Sequence, residues 1–191
     1  MRSALFPIAL LALCAQGSAP YVSNDIHCPP DLHISFVHNS YTYGAPLTHF
    51  INLIDSFFEQ SWYFGTVITH TTGKYNVPGA TRTGPFAGAT YNETLTAYSK
   101  HADAMIMSYS GQPLTIVSPP LKFGHYLERL RFESICGGTA TYIDALTYSC
   151  SDNPVAVYDL WYTVHMAAFA NLSAVVGAPV LAGDCLQKSR H

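Results

Sequence analysis

The residue pattern predicts an α+β domain in which an antiparallel sheet of about seven strands curves around one long C-terminal helix. Three observations carry this. Two runs rich in β-branched and aromatic residues flank Gly137-Gly138, a pair that accepts the positive φ angles of a tight hairpin turn. A helical pattern follows at once, from Pro154 to about Val176. Upstream, short strand-like runs recur at regular spacing behind an early helical stripe.

Taken in order, Asp31 to Tyr43 alternates as a strand, with Leu32, Ile34 and Phe36 on one face. Pro46 sits where a first helical turn tolerates it, and Leu47, Phe50, Ile51, Leu53, Ile54, Phe57 and Phe58 form a helical stripe. Trp62 to Phe64 is a second short helix or its exit. Thr66 to Thr71 reads as a short strand and Gly73 to Gly79 as a turn. Strands follow at Ala80 to Phe86, Tyr91 to Lys100 and Ala104 to Tyr109. Ser110 to Lys122 holds Pro113, Pro119 and Pro120 and is expected to be a loop.

In the first arm of the hairpin Leu130, Phe132 and Ser134 alternate with Arg129, Arg131 and Glu133, so one face is charged and the other is free to be buried. The second arm, Thr139 to Ser149, runs without Gly or Pro. Asp152 or Asn153 caps the last helix, with Pro154 in its first turn. Val157, Trp161, Val164, Ala168, Leu172 and Val175 share one side with His165 and Val176, and Gly177 and Pro179 end the helix.

The 191 residues suffice for one domain, placed at 31–185, with processing segments around it. Charged residues are only 11% and the net charge is −3, so no basic patch is available to attract a nucleic acid. Met1-Arg2 followed by the apolar run Ala4–Leu13 and small residues has the layout of a secretory signal peptide, with cleavage expected after Gly17. Residues 18–30 form a polar leader and 186–191 a tail. No second apolar run approaches the length of a membrane span, so the product is expected to be secreted or held in the secretory-pathway lumen. Cleavage removes Cys14 and leaves Cys28, Cys136, Cys150 and Cys185, an even number that reads as two disulfides in an oxidising compartment. Sequons at Asn92 and Asn171 agree with that route.

Four segments, in order, resemble a known family. Ala45-Pro46 leads into a helix ending near Trp62, and Val77–Gly84 carries Gly-x-x-Arg, with Gly79 and Arg82. Tyr91-Asn92-Glu93-Thr94-Leu95 places a Glu near an apolar residue in a strand, and Arg131-Phe132-Glu133 precedes Gly137-Gly138-Thr139. Together they resemble the START-like, or SRPBCC, superfamily, which includes the Bet v 1-type and the polyketide cyclase/dehydrase-like proteins. The order covers nearly all of Asp31 to Val176. One departure is Tyr142-Ile143 where the family often has Trp.

The resemblance implies a helix-grip fold: a sheet holding the long helix, two short helices after strand one, and a hydrophobic cavity between helix and sheet. It implies a lipophilic small-molecule partner and no cofactor. In such a fold the first strand lies antiparallel to the last, which implies Cys28–Cys150. The long helix runs back over the sheet, which implies Cys136–Cys185.

The same frame sets the candidate chemistry. No HExxH, no His pair at i, i+4 and no CxxC is present, so no metal site is assigned. There is no GxSxG and no nucleotide-binding Gly-rich loop. If Asn92 faces solvent, alternation turns Glu93 toward the cavity, where burial raises a carboxyl's pKa and suits it to acid or base work. The alternative is an exposed Glu93 paired with Arg82 or Lys100. Arg82, carried over from the family motif, either orients a ligand or neutralises Glu93. His165, at the centre of the long helix's apolar side, is a proton shuttle or a hydrogen-bonded core residue. Asp144 alternates with Tyr142, Leu146 and Tyr148, while Thr141, Ile143, Ala145 and Thr147 form an equally plausible inner face. Tyr91, Tyr109, Tyr126, Tyr142 and Trp161 supply walls and hydroxyls. Three functions fit: a binder of a polyketide-, terpenoid- or lipid-like molecule, a cofactor-free cyclase, dehydratase or isomerase using Glu93, Asp144 or His165, and a secreted protein-interaction module.

Overall fold

A single 23-residue helix, α2 (Pro154–Val176), lies against the inner face of the sheet. Its ends follow local chemistry. The Asn153 side chain accepts the backbone N–H of Ala156 at 3.1 Å, and Pro154 occupies the first turn, where no N–H is needed. Gly177 adopts the left-handed conformation that closes the helix. Val157, Trp161, His165, Ala168, Phe169 and Leu172 face the sheet, whereas Val175, expected on the same side, is exposed.

The computed structural model describes residues 26–63, 66–117, 120–182 and 185. The expected signal peptide (1–17), the leader up to residue 25, Phe64 and the tail (186–191) lie outside the described residues. The other elements are β1 (His33–Tyr43), α1 (Leu47–Ile54), β2 (His70–Thr72), β3 (Thr81–Phe86), β4 (Ala89–Lys100), β5 (Ala104–Gly111), β6 (Leu114–Ile116), β7 (Leu121–Ile135) and β8 (Ala140–Ser151). They form one antiparallel sheet in the order β1-β8-β7-β5-β4-β3-β2, with β6 also pairing with β7. Among the described residues no helix is long and apolar enough to cross a membrane.

The architecture is the expected α+β one, with differences that have local causes. The sheet has eight strands because Leu114-Thr115-Ile116 pairs with Leu121–Phe123 inside the segment expected to be a loop. Three alternating residues between prolines are too short a signal to read as a strand. Only one short helix follows β1 among the described residues. Where the second short helix or its exit is expected, residues 61–63 form a turn closed by Tyr63 N–H donating to the Gln60 carbonyl, and Phe64 lies outside the described residues. The hairpin turn is wider than a two-residue one: Cys136, Gly137 and Gly138 all have positive φ between the paired Ile135 and Ala140.

The largest correction concerns β1. Ile34 and Phe36 are half exposed on its outer face, while Ser35, Val37 and Asn39 point inward. Pairing of Ile34 with Cys150 and of Phe36 with Tyr148 sets that register, and a one-residue slip would reverse every side chain. The inner face is partly polar here because it supplies partners to α2: the Ser35 hydroxyl donates to the Pro154 carbonyl, and Asn39 meets His165.

The two disulfides join Cys28 to Cys150 and Cys136 to Cys185. The first ties the chain before β1 to the end of β8, and the second ties the chain after α2 to the β7–β8 turn. Spanning 122 and 49 residues, each stabilises by about 2–4 kcal/mol through the unfolded chain. The main core includes Phe50, Ile54, Phe57, Phe132, Ile143, Phe169 and Leu172 and runs without a break into the aromatic residues Tyr63, Tyr109, Tyr126 and Trp161.

Candidate active or ligand-binding site

A cavity of about 30 Å³ opens between α2 and the sheet. Strands bring Tyr91 and Glu93 (β4), Tyr109 (β5), and Tyr126 and Glu128 (β7) to its wall, and α2 adds Trp161. Half-buried Phe86, Leu114 and Thr66 stand at its mouth, with Gln60 and Tyr63 from the segment after α1 beside them.

Strand alternation aims these groups. On β4, Tyr91, Glu93 and Leu95 are buried while Asn92 is exposed. On β7, Tyr126, Glu128, Leu130 and Phe132 face inward in one unbroken row. Two glycines on neighbouring strands make room for two of the phenols. Gly84 lies opposite Tyr91 and Gly111 opposite Tyr126, and a Cβ at either glycine would collide with its tyrosine ring.

The cavity has two buried carboxylates. Glu93 accepts Arg82 Nε–H at 2.6 Å on Oε2 and the Tyr126 hydroxyl at 2.6 Å on Oε1. Arg82 also donates from Nη1 to the Phe57 carbonyl at 3.0 Å, and its guanidinium lies 4.3 Å from the Phe57 ring centre and 4.6 Å from that of Tyr109. Burial pushes the Glu93 carboxyl above the ordinary glutamate range, helped by the charge of Glu128 and opposed by Arg82 and Tyr126. Burial works against the Arg82 charge, but Glu93 more than restores it.

Glu128 is fully buried and is held by hydroxyls. Its Oε1 accepts from Tyr109 at 2.6 Å and Tyr63 at 3.0 Å, and its Oε2 from Thr147 at 3.5 Å. His165 Nε2 lies 3.6 Å from Oε2. Burial alone would raise this carboxyl, but the His165 ring and the phenol hydrogen bonds outweigh it and hold Glu128 below the ordinary range. The second His165 nitrogen, Nδ1, meets Asn39 Oδ1 at 2.9 Å. The phenols move the other way. Burial, followed by the adjoining carboxylates, lifts Tyr63, Tyr109 and Tyr126 well above the normal phenol value and takes Tyr91 to about 12.

The structure brings Glu93, Arg82, His165, Tyr91, Tyr109, Tyr126 and Trp161 together under α2. The alternative of an exposed Glu93 is overturned: Glu93 pairs with Arg82 inside, and Lys100 instead pairs with Asp55. Asp144 and Tyr142 do not reach the cavity. Thr141, Ile143, Ala145 and Thr147 form the buried inner face of β8, so Asp144 lies on the other face, covered by Arg129, whose Nη2 donates to it at 3.3 Å. Of the sequon residues, Asn92 is exposed, while the Asn171 amide is half-buried and donates to the Trp62 carbonyl. Glu128, Tyr63, Gln60 and Asn39 were not singled out from sequence. Glu128 had a signal, because it is in phase with Leu130 and Phe132.

Solved structures that superpose on this chain show the fold. A protein of Nitrosospira multiformis superposes over 73% of this chain and 94% of its own, with a TM-score of 0.58 and 23% identity. Ara h 8.0201 does so over 76% and 99%, with a TM-score of 0.54 and 12% identity. The fold is the helix-grip fold of the START-like (SRPBCC) proteins. Norcoclaurine synthase of Thalictrum flavum is a further helix-grip match, at a TM-score of 0.53 and 13% identity over 76% of this chain and 88% of that one. No protein-family model matches the chain, and no curated protein matches it. In the helix-grip frame the cavity lies where α2, the β4–β5–β7 part of the sheet and the segment after α1 meet.

Proposed function

We propose that this is a secreted protein that binds a small lipophilic molecule with a polar end in the cavity between α2 and the sheet. The observation that carries the reading is the convergence of aromatic walls and two buried carboxylates on one opening of an otherwise apolar core. Two disulfides are compatible with an extracellular or secretory setting. The cavity volume of about 30 Å³ has room for only one or two water molecules, while small-molecule pockets commonly measure several hundred Å³. A ligand therefore enters with its polar end in the cavity and its apolar part displacing half-buried Phe86 and Leu114 at the mouth.

Native mass spectrometry of protein purified from its own secretory host tests this reading. The expected result is a co-purifying small molecule that is lost when Tyr91 and Tyr126 are both replaced by Ala. Protein that carries nothing, and binds nothing from an apolar compound panel, would overturn it.

A second reading is favoured by one observation: Glu93 is pushed up and Glu128 down. Two carboxyls separated in this way supply an acid and a base at one pH. On that reading the cavity is a cofactor-free cyclase, dehydratase or isomerase, and Glu93→Gln abolishes turnover while ligand affinity changes little. An equal loss of affinity and turnover would reduce Glu93 to a binding group.

A further inference from the structure

The phenol and threonine hydroxyls and the indole N–H around the cavity already have acceptors, and those acceptors are protein atoms. Tyr91 donates to Gln60 Oε1 at 2.5 Å, Tyr126 to Glu93, and both Tyr63 and Tyr109 to Glu128. The Thr66 hydroxyl donates to the Tyr63 carbonyl at 2.8 Å, and the Trp161 indole N–H donates to the Ser149 hydroxyl at 3.1 Å. A phenol has one proton and two lone pairs. Once that proton is committed, only lone pairs and the ring remain to meet a ligand.

Arg82, the one guanidinium near the cavity among the described residues, is also committed. It stands behind Glu93 between two aromatic rings, bonded to Glu93 and the Phe57 carbonyl, and is not part of the cavity wall. What faces inward is therefore rich in acceptors, lined by π systems and backed by two carboxylates, one paired with Arg82 and the other beside His165. A carboxylate or a carbonyl entering this space would meet like partners and lose its water without replacement. A group that brings its own protons and a positive charge meets lone pairs, aromatic faces and carboxylates.

We infer that the cavity selects a small cationic amine: an ammonium head seated among Tyr91, Tyr126, Glu93 and Trp161, with an apolar tail leaving past Phe86 and Leu114. The inference rests on the ligand-binding reading above and names the chemistry of its polar end. The small volume agrees with it, because an ammonium head is about the size of the one or two waters the cavity admits.

The test uses three probes with the same tail: hexylammonium, hexanoate and hexanal. Each is titrated at about pH 7, where an alkylamine is charged, following Trp161 fluorescence in a Trp62→Phe background and, separately, the heat of binding. Hexylammonium is expected to bind at least about tenfold more tightly than either of the others, the discrimination one charge-assisted hydrogen bond gives. Tyr91→Phe, which removes one inward lone-pair donor without touching the Arg82–Glu93 pair, is expected to lower hexylammonium affinity about threefold to tenfold and leave hexanal unchanged. Glu93→Gln reports on the charge itself wherever that variant folds. Equal or tighter binding of hexanoate or hexanal overturns the amine assignment and leaves the ligand-binding reading intact. Failure of all three to bind overturns both.

Discussion

Glu93 and Glu128 share one cavity and the same degree of burial, yet the protein holds them in different ways. Glu93 faces a full cation, Arg82, and one phenol. Glu128 has no arginine and is held by two phenols, a threonine hydroxyl and the His165 ring. Burial raises the first above the ordinary range despite its arginine, and the His165 ring, followed by the phenol donors, brings the second below it. The lesson is that a charged partner joined by several hydroxyl donors, as His165 is joined by Tyr109 and Tyr63 at Glu128, holds a buried carboxylate low where Arg82 and a single phenol at Glu93 do not. Removing one donor from Glu128 leaves others, whereas removing either half of the Arg82–Glu93 pair leaves a buried charge without its counter-charge.

That difference predicts the largest effect. Glu93→Leu strands Arg82 beneath Phe57 and Tyr109 and is expected to cost about 3–5 kcal/mol in chemical denaturation with the disulfides intact. Arg82→Met added to Glu93→Leu is expected to recover most of this, because an apolar pair of similar volume needs no counter-charge. Glu128→Gln keeps acceptor capacity for its hydroxyl donors and is expected to cost less, about 1–3 kcal/mol. A Glu128→Gln loss equal to that of Glu93→Leu would erase the distinction.

The two sites were also unequally legible in sequence, and the reasons are physical. Helix α2 could be read to its ends because Asn153, Pro154 and Gly177 are local signals that need no tertiary context. For Glu93 the alternation with Asn92 offered the inward orientation but left an exposed, ion-paired Glu93 open, because alternation alone does not say which of the two faces is wet. Glu128 sits in the same inward row as Leu130 and Phe132, but a Glu beside Arg129 and Arg131 reads as part of a charged face. Strand β1 failed for the reverse reason. Its apolar Ile34 and Phe36 turn outward because the inner face needs Ser35 and Asn39 to meet α2. Asp144 was undecidable, since both faces of β8 mix polar and apolar residues. Hydrophobic alternation finds an apolar interior and loses its sign where the interior is a hydrogen-bonded site.

The next effect sharpens the Glu93 side alone. Gly111→Ala would drive a Cβ into the Tyr126 ring and is expected to cost about 1–3 kcal/mol by overpacking. It also moves the Tyr126 hydroxyl away from Glu93 and leaves the Tyr63 and Tyr109 bonds to Glu128 intact. Tyrosine fluorescence or side-chain NMR should show a change confined to Tyr126 and its immediate neighbours. A change spread equally to Tyr63 and Tyr109 would mean that the two carboxylate sites behave as one network.

Proton linkage separates the sites with a smaller signal of opposite sign. Glu93 has a folded-state pKa above its unfolded value of about 4.3, so the folded protein holds the extra proton in the window above that value. The parent's stability relative to Glu93→Gln is therefore expected to fall as pH rises through that window. Glu128 lies below its unfolded value, so the stability it contributes is present above about pH 4.3 and is lost as pH falls through its folded value. The parent's stability relative to Glu128→Gln should fall in the acid direction. Denaturation midpoints taken from about pH 3 to pH 8 would show the two differences sloping oppositely, and slopes of one sign would contradict the assignment.

The smallest expected effect lies on the far side of the sheet and serves as a control for the comparison. Asp144 is as deeply buried as Glu93, and its sequence position on the last long strand made it an equal candidate for chemistry. Its partner, however, is Arg129 on the outer face, and β8 turns Thr147 rather than Asp144 toward Glu128. An asparagine at 144 still offers Arg129 an oxygen, and Arg129 is partly open to solvent, so Asp144→Asn is expected to cost no more than about 1 kcal/mol. Ligand affinity and any turnover should match the parent. If Asp144→Asn weakened binding as much as Tyr91→Phe does, β8 would have to present its other face to the cavity. That shift would also carry Thr147 away from Glu128 and Ser149 away from Trp161. Because the side-chain period of a strand is two, this single conservative substitution tests the register on which both carboxylate sites depend.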